Sequence, residues 1–210
     1  MTRDISYLNE NILSYKTNVG DNDKLSAIGG FTIQTFQRKL NNSSASGFTT
    51  DILEDNSLGS AENTNPNTSN VSEWKLLSWL GRVNYDLNDK YLFTASIRAD
   101  GSSRFGENNK WGIFSSGAFA WRLSNEEFLK NVDNLSDLKL RIGYGETGST
   151  AIAAYQSLNT LGEERATFGN SDVIGFANVS APNPDLKWET TQQLGIGIDA
   201  SFFQDKYRVT

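Results

Sequence analysis

The 210-residue chain sets 19 Lys and Arg against 25 Asp and Glu, a formal net charge of -6, and contains neither histidine nor cysteine. Those two absences exclude disulfides, thiolate nucleophiles, imidazole bases and the usual zinc ligand sets, and the acidic balance, with no basic tract, argues against nucleic acid as a partner. With 18 Gly, 12 Phe, 7 Tyr and 5 Trp but a mean hydropathy of -0.48, the chain is aromatic-rich yet polar on average, and it lacks the run of about 20 apolar residues that a membrane helix needs.

Residues 7–19 alternate, with Leu13, Tyr15, Thr17 and Val19 on one side and Ser14, Lys16 and Asn18 on the other, which predicts a strand. Gly20, Asp21, Asn22 and Asp23 mark a compact turn, and residues 25–37 read as the returning strand, with Ala27, Gly29, Phe31 and Ile33 on one face. From residue 38 to 72 the composition shifts to Asn, Ser, Thr and Gly, with Asp51, Glu54, Asp55 and Glu62 and little periodicity, so a long loop is expected. The sequons at Asn42, Asn67, Asn70 and Asn178 are read as chance matches in Asn/Ser-rich text.

Periodicity returns at residues 74–87, where Leu77, Trp79, Val83, Tyr85 and Leu87 oppose Ser78, Arg82, Asn84 and Asp86, and Asn88 and Asp89 turn the chain. Residues 91–100 alternate again, with Tyr91, Phe93, Ala95, Ile97 and Ala99 against Thr94, Ser96, Arg98 and Asp100. A polar reversal through Gly106, Asn108 and Asn109 leads to a second arm from Trp111 to Leu123. Trp111 and Trp121 have the same parity, and the strand between them, tilted by about 40°, rises roughly 25 Å, the height of a lipid-facing band edged by aromatic residues. Ser115 and Gly117 interrupt that face, while Ile113 and Phe119 support it.

Ser124 and Glu127 have capping-box spacing, which predicts a helical turn over residues 125–131. Leu138, Leu140, Ile142 and Tyr144 then alternate with Lys139, Arg141, Gly143 and Gly145 as another strand, and residues 148–185 read as a second long irregular segment. Residues 188–203 give the clearest strand, with Leu194, Ile196, Ile198, Ala200 and Phe202 on one parity; Gln204, Asp205 and Lys206 turn the chain toward the start of one more. Short or moderate connections at 20–23, 88–89, 124–136 and 204–206 alternate with long ones at 38–73, 100–110 and 148–187. That asymmetry fits the periplasmic turns and extracellular loops of an outer-membrane barrel.

The ADGSSRFG hairpin at residues 99–106, the W-G-x-F pattern at 111–114, the A-x-A-W-R-L strand end at 118–123 and L-K-W-E at 186–189 together resemble the barrel of the SusC/RagA family of TonB-linked outer-membrane transporters. Ser115 stands where that family's pattern would have a proline. The resemblance implies an all-β fold in which residues 1–210 are a partial antiparallel transmembrane barrel domain, about seven to eight strands of a larger barrel of about 22 with a plugged lumen. It also implies that signal sequence, plug and TonB-contacting segment lie upstream of Met1, residues 1–20 having no signal-peptide pattern. The implied activity is nutrient import across the outer membrane, of oligosaccharide or peptide, without chemistry on the substrate and without a cofactor. The implied partners are outer-membrane lipid, the nutrient solute, the TonB energy-coupling complex and a SusD-like lipoprotein.

In such a barrel the polar parity faces the lumen, which nominates Arg82, Arg98, Asp100, Arg122, Arg141 and Asp199 as lumen-facing; a midplane Arg on the lipid face would cost about 2–4 kcal/mol. Ion pairing of the arginines with Asp86, Asp100, Asp199 or a plug is the expected role, ahead of direct solute contact. Trp74, Trp111 and Trp188 near loop ends, with Tyr85, Tyr91, Trp121 and Tyr207 near short turns, are the candidates for two interfacial aromatic girdles. Gly143, Gly145 and Gly148 spell G-x-G-x-x-G after a strand, but Lys139 and Arg141 interrupt that strand as they would not in a buried parallel sheet, so a dinucleotide site is not expected. The neighbouring carboxylates Glu54/Asp55, Glu126/Glu127 and Glu163/Glu164 read as solvated charge. The alternatives are a soluble carbohydrate-binding β-sandwich, which would bury its apolar strand faces, and a surface adhesin barrel without transport.

Overall fold

The computed structural model describes every residue except Asp21, Asp51, Asn131 and Asp133. The expectations that fall on Asp21 in the first turn, on Asp51 in the first long loop and on the last residue of the helical turn lie outside the described residues. Seven long strands dominate: β1 (Thr2–Val19), β2 (Asp23–Asn42), β5 (Thr68–Leu87), β6 (Tyr91–Ser102), β7 (Trp111–Arg122), β8 (Leu135–Ser149) and β11 (Glu189–Phe202). Short β12 (Tyr207–Val209) follows, and two small ladders are inserted, β3 (Ala45–Ser46) with β4 (Asn63–Thr64) and β9 (Leu161–Phe168) with β10 (Ser171–Asn178).

The long strands and β12 make one eight-stranded sheet in the order β1-β2-β5-β6-β7-β8-β11-β12, and each neighbouring pair is antiparallel. Register follows from the alternation, because a slip by one residue would move every apolar side chain to the other face. Residues that need left-handed backbone conformations sit where the chain reverses: Asn88 and Asp89 have φ of 57° and 51°, and Asn tolerates this region better than most side chains do.

The structure departs from the sequence expectation in the loops. The first long loop is shorter than expected, because β2 and β5 continue their ladder past Arg38↔Ser72 to Asn42↔Thr68. Within the second, the hairpin of β9 and β10 replaces irregular chain. The capping box does not form: the Ser124 hydroxyl donates to Asp137 and Glu127 pairs with Lys130, so a 3-10 turn over Leu123–Asn125 followed by hydrogen-bonded turns stands in place of a helix. Among the described residues no helix is long and apolar enough to cross a membrane, which says nothing of a barrel.

Candidate functional site

The sheet has two chemically distinct faces. Cross-strand register carries one face from Leu13 and Tyr15 through Phe31, Trp79, Val83, Phe93, Ile97, Ile113 and Phe119 to Ile142, Leu194, Ile196 and Ile198. Most of these side chains are open rather than covered, with Ile196 at 77% and Ile113 at 66% exposure and Phe31 and Phe119 half-buried, and no second sheet packs on them among the described residues. A contiguous apolar surface this wide is foreign to a soluble monomer, which removes the ground for a sandwich with buried strand faces. Aromatic pairs reinforce the face across strands, with Phe31 and Trp79 ring centroids 4.3 Å apart and Phe93 and Phe119 5.1 Å apart.

The other face gathers Arg82, Arg98, Asp100, Arg122, Arg141 and Asp199. Arg98 donates through Nε to both carboxylate oxygens of Asp100 at 2.8 Å and through a second nitrogen to Ser78 at 3.1 Å. Asp100 and Ser78 are buried, so the pair is shielded on its acidic side only. Arg141 and Lys139 share Asp199, at 2.8 Å and 3.1 Å. Arg122 lies 3.8 Å from Asp137 and donates to the Asp89 carbonyl. Asp86 therefore joins none of these pairs, and Arg82 has no acidic partner among the described residues. In front of this face lies a cleft of about 570 Å³, with Leu80, Arg82, Arg98, Asp100, Phe114 and Trp188 in its lining.

At the long-loop end, two connections lock together over the charged face. Phe105, Phe114 and Trp188 form the buried cluster of the molecule; Phe105 stacks on Trp188 at 4.4 Å and Phe114 meets its edge at 5.4 Å. The Trp188 indole N–H donates to the Lys110 carbonyl, and the Gly106 amide donates to Leu186 O at 2.9 Å. Arg104 lies 4.5 Å over the Trp74 ring and donates to the Thr150 carbonyl, and the Glu73 amide donates to the Tyr155 hydroxyl. We call this arrangement the loop clasp. It corrects the girdle assignment of Trp74 and Trp188: Trp74 pairs with Phe36 on the charged face, and Trp188 is only 8% exposed beneath the loops.

The last glycine of the triplet has its explanation here. Gly143 and Gly145 lie against the Ala118 and Ser116 side chains, and a Cβ on Gly148 would run into the Phe114 ring. Packing therefore accounts for the glycine at 148, while a Cβ at 143 would make only ordinary contact.

Tyr85, Tyr91, Trp111, Trp121 and Tyr207 do share the apolar face. Tyr91 and Trp121 converge on Glu126, which accepts from the Tyr91 hydroxyl at 2.8 Å, the Trp121 indole at 3.0 Å and Lys90 Nζ at 2.8 Å. These donors, Lys90 foremost, hold the Glu126 carboxyl at about 2. Glu126 thus binds the short 88–90 turn to the connection after β7, a role that its reading as solvated charge missed; the Lys90–Tyr91 neighbours offered no local clue to it. Glu163 and Glu164 point to opposite sides of the β9–β10 hairpin, and no cluster of metal-ligating side chains occurs among the described residues.

The family model for TonB dependent receptor-like β-barrels matches residues 2–210. TonB-dependent receptor P26 of Formosa agariphila is 37% identical over 199 residues, covering 94% of this chain and 20% of its own length. TonB-dependent receptor SusC of Bacteroides thetaiotaomicron is 43% identical over 137 residues, covering 62% of this chain and 14% of its own length. The structure of the RagAB peptide transporter superposes with a TM-score of 0.88 at 28% identity, over 99% of this chain and 23% of that one. The chain therefore spans about a fifth of the length of the curated relatives it matches.

Proposed function

Because this chain belongs to the TonB dependent receptor-like β-barrel family, we propose that it forms part of the wall of an outer-membrane barrel that imports nutrients, with residues 1–210 as a partial barrel domain. One observation carries the reading: an eight-stranded antiparallel sheet with an exposed apolar face and a charged opposite face, whose connections after β2 and β8 are far longer than those after β1, β5 and β11. In this arrangement the apolar face meets lipid and Tyr85, Tyr91, Trp111, Trp121 and Tyr207 stand at its interfaces. Arg82, Arg98, Asp100, Arg122, Arg141 and Asp199 face the lumen, where Arg82 is free to meet a plug carboxylate or an anionic group of the solute. The open edges of β1 and β12 pair with further strands of the barrel, since an unpaired edge has no place in hydrocarbon.

The connections after β2, β6 and β8 then lie outside the cell, those after β1, β5, β7 and β11 in the periplasm, and a plug and TonB-contacting segment belong to other parts of the longer receptor. Oligosaccharides or peptides are the proposed solutes, peptide being what the similar RagAB carries. A SusD-like lipoprotein over the mouth is the proposed extracellular partner. It is supported by the β9–β10 hairpin, which holds Leu161, Phe168, Ile174 and Phe176 in the open beyond the sheet.

The cysteine-free sequence makes the orientation testable in the receptor that contains this chain. Thr94→Cys on the charged face should react with a water-soluble maleimide in outer membranes, whereas Ile196→Cys should react only with a lipid-soluble one. Equal labelling of the two by the water-soluble reagent would refute the two-faced wall. Uptake of the solute should in addition stop when the TonB complex is deleted.

A further inference from the structure

Above the apolar band, one pairing in the sheet runs against elementary electrostatics. Arg3 on β1 and Lys39 on β2 are direct cross-strand partners, and both are on the apolar face. Both are exposed, and neither has an acidic partner within ion-pair distance among the described residues. Like charges directly opposite each other destabilise an antiparallel pair. The carboxylate next along that face, Glu73, is engaged by Lys75 at 3.2 Å and by Gln37 at 3.3 Å. Lys75 adds a third cation to the same surface, and Asp4, the acid nearest in sequence, is on the opposite face, bound to Arg38. This corner of the wall presents a surplus of positive charge directed away from the lumen.

Its height is informative. The register row through Trp111 passes Gly101 and Leu77 to Ile33, and Lys39 lies six residues further along β2. Six strand residues leaning by about 40° climb roughly 15 Å, and the same lean takes back about 3 Å for each of the three strands crossed. Lys39 and Arg3 then sit a few ångströms outside the level of Trp111, where lipid headgroup phosphates begin.

We propose that Arg3 and Lys39 form a clamp for the phosphate of a phosphorylated glycolipid in the outer leaflet. The inference rests on the outer-membrane reading above. Guanidinium offers a fork that matches phosphate oxygens and ammonium adds a point charge, so the anion turns a repulsive pair into an attractive triad. Ile5 and Tyr7 on β1, with Ile33 and Leu77 beyond the polar Gln37, Thr35, Glu73 and Lys75, offer apolar contact below for the acyl chains of the same lipid, which a free phosphate ion lacks.

The test uses the intact receptor purified from outer membranes, with lipid binding read by native mass spectrometry. The probes are a phosphorylated lipid A, its dephosphorylated form and inorganic phosphate. Wild type should bind the phosphorylated glycolipid about 10- to 100-fold more tightly than the Arg3→Gln/Lys39→Gln double variant, the loss expected for one or two charge-assisted hydrogen bonds. It should bind the dephosphorylated form no better than the variant does. Equal binding by wild type and variant, or equal binding of the two glycolipids, would overturn the clamp. Displacement by inorganic phosphate at equal concentration would reassign it to a free anion and overturn the lipid claim. Both side chains are exposed, so the variant should keep the heat-dependent gel migration of a folded barrel. A receptor missing from the outer-membrane fraction sinks the membrane reading itself, whereas one present there without retained glycolipid sinks the clamp alone.

Discussion

Replacing Phe105 by Ala should release the loop clasp while leaving the sheet intact. The ring is 1% exposed and stacks on Trp188 at 4.4 Å. Truncating a buried Phe costs about 3–5 kcal/mol, and the lower figure applies where surrounding chain can close over the space. A loss of about 3 kcal/mol corresponds to a local opening constant raised about a hundredfold. The clasp's own backbone bonds report this directly, through the Gly106 amide to Leu186 O at 2.9 Å and the Asn108 amide to Pro184 O at 3.2 Å. Hydrogen exchange of those two amides in the intact receptor should accelerate about a hundredfold, with strand amides in β6 and β7 unchanged. Phe176→Ala, at a ring that is 69% exposed, serves as the control and should leave both amides protected. If Gly106 and Asn108 exchange at the wild-type rate in Phe105→Ala, the aromatic cluster is not what holds the two connections together.

Gly106→Ala should produce the same exchange phenotype from the opposite cause, because a Cβ there would overlap the Pro184 carbonyl and push the two connections apart; normal exchange would mean that the backbone yields without cost. Glu126 is held at about 2 against an ordinary value near 4.5, so its stabilising contribution is complete above about pH 4.5 and is lost as pH falls toward about 2. Glu126→Gln should therefore lower the melting temperature at pH 7 and flatten its dependence between pH 4.5 and 2; parallel curves for variant and wild type in that window would contradict the assigned role. Ile196→Arg should cost about 2–4 kcal/mol in reversible folding into lipid vesicles while Gln193→Arg on the charged face costs little, and equal effects would exchange or erase the two faces.

The strands could be read from sequence because each long one has a covered or charged side and an apolar side, which writes a period of two into the chain. Strand ends were less legible, since β2 and β5 continue their ladder to Asn42↔Thr68 through largely polar residues that carry no apolar period. Elements that touch nothing periodic escaped. The β9–β10 hairpin is exposed on both faces, so Phe168, Ala166 and Glu164 fall on one side and Arg165, Glu163 and Leu161 on the other without any apolar bias. Trp74 shared the parity of Arg82 all along, and nearness to a loop end outweighed that signal in assigning it to a girdle. Trp188 precedes β11 and is buried by Phe105, which comes from a connection two strands earlier. No local pattern can announce such a contact.

That same contact has a consequence for assembly. Each pairing in the large sheet joins strands that follow one another along the chain, apart from the short inserted ladders, so each can zip onto its predecessor with little loop-closure cost. The clasp is different, because it closes only after the β6–β7, β7–β8 and β8–β11 registers are all set. A one-residue slip at β7 would swing Phe114 to the opposite face and leave Phe105 and Trp188 without their edge-on neighbour. Closure of the outer rim therefore proofreads three strand registers at once, and a wall section that has zipped out of step remains open there until it is corrected.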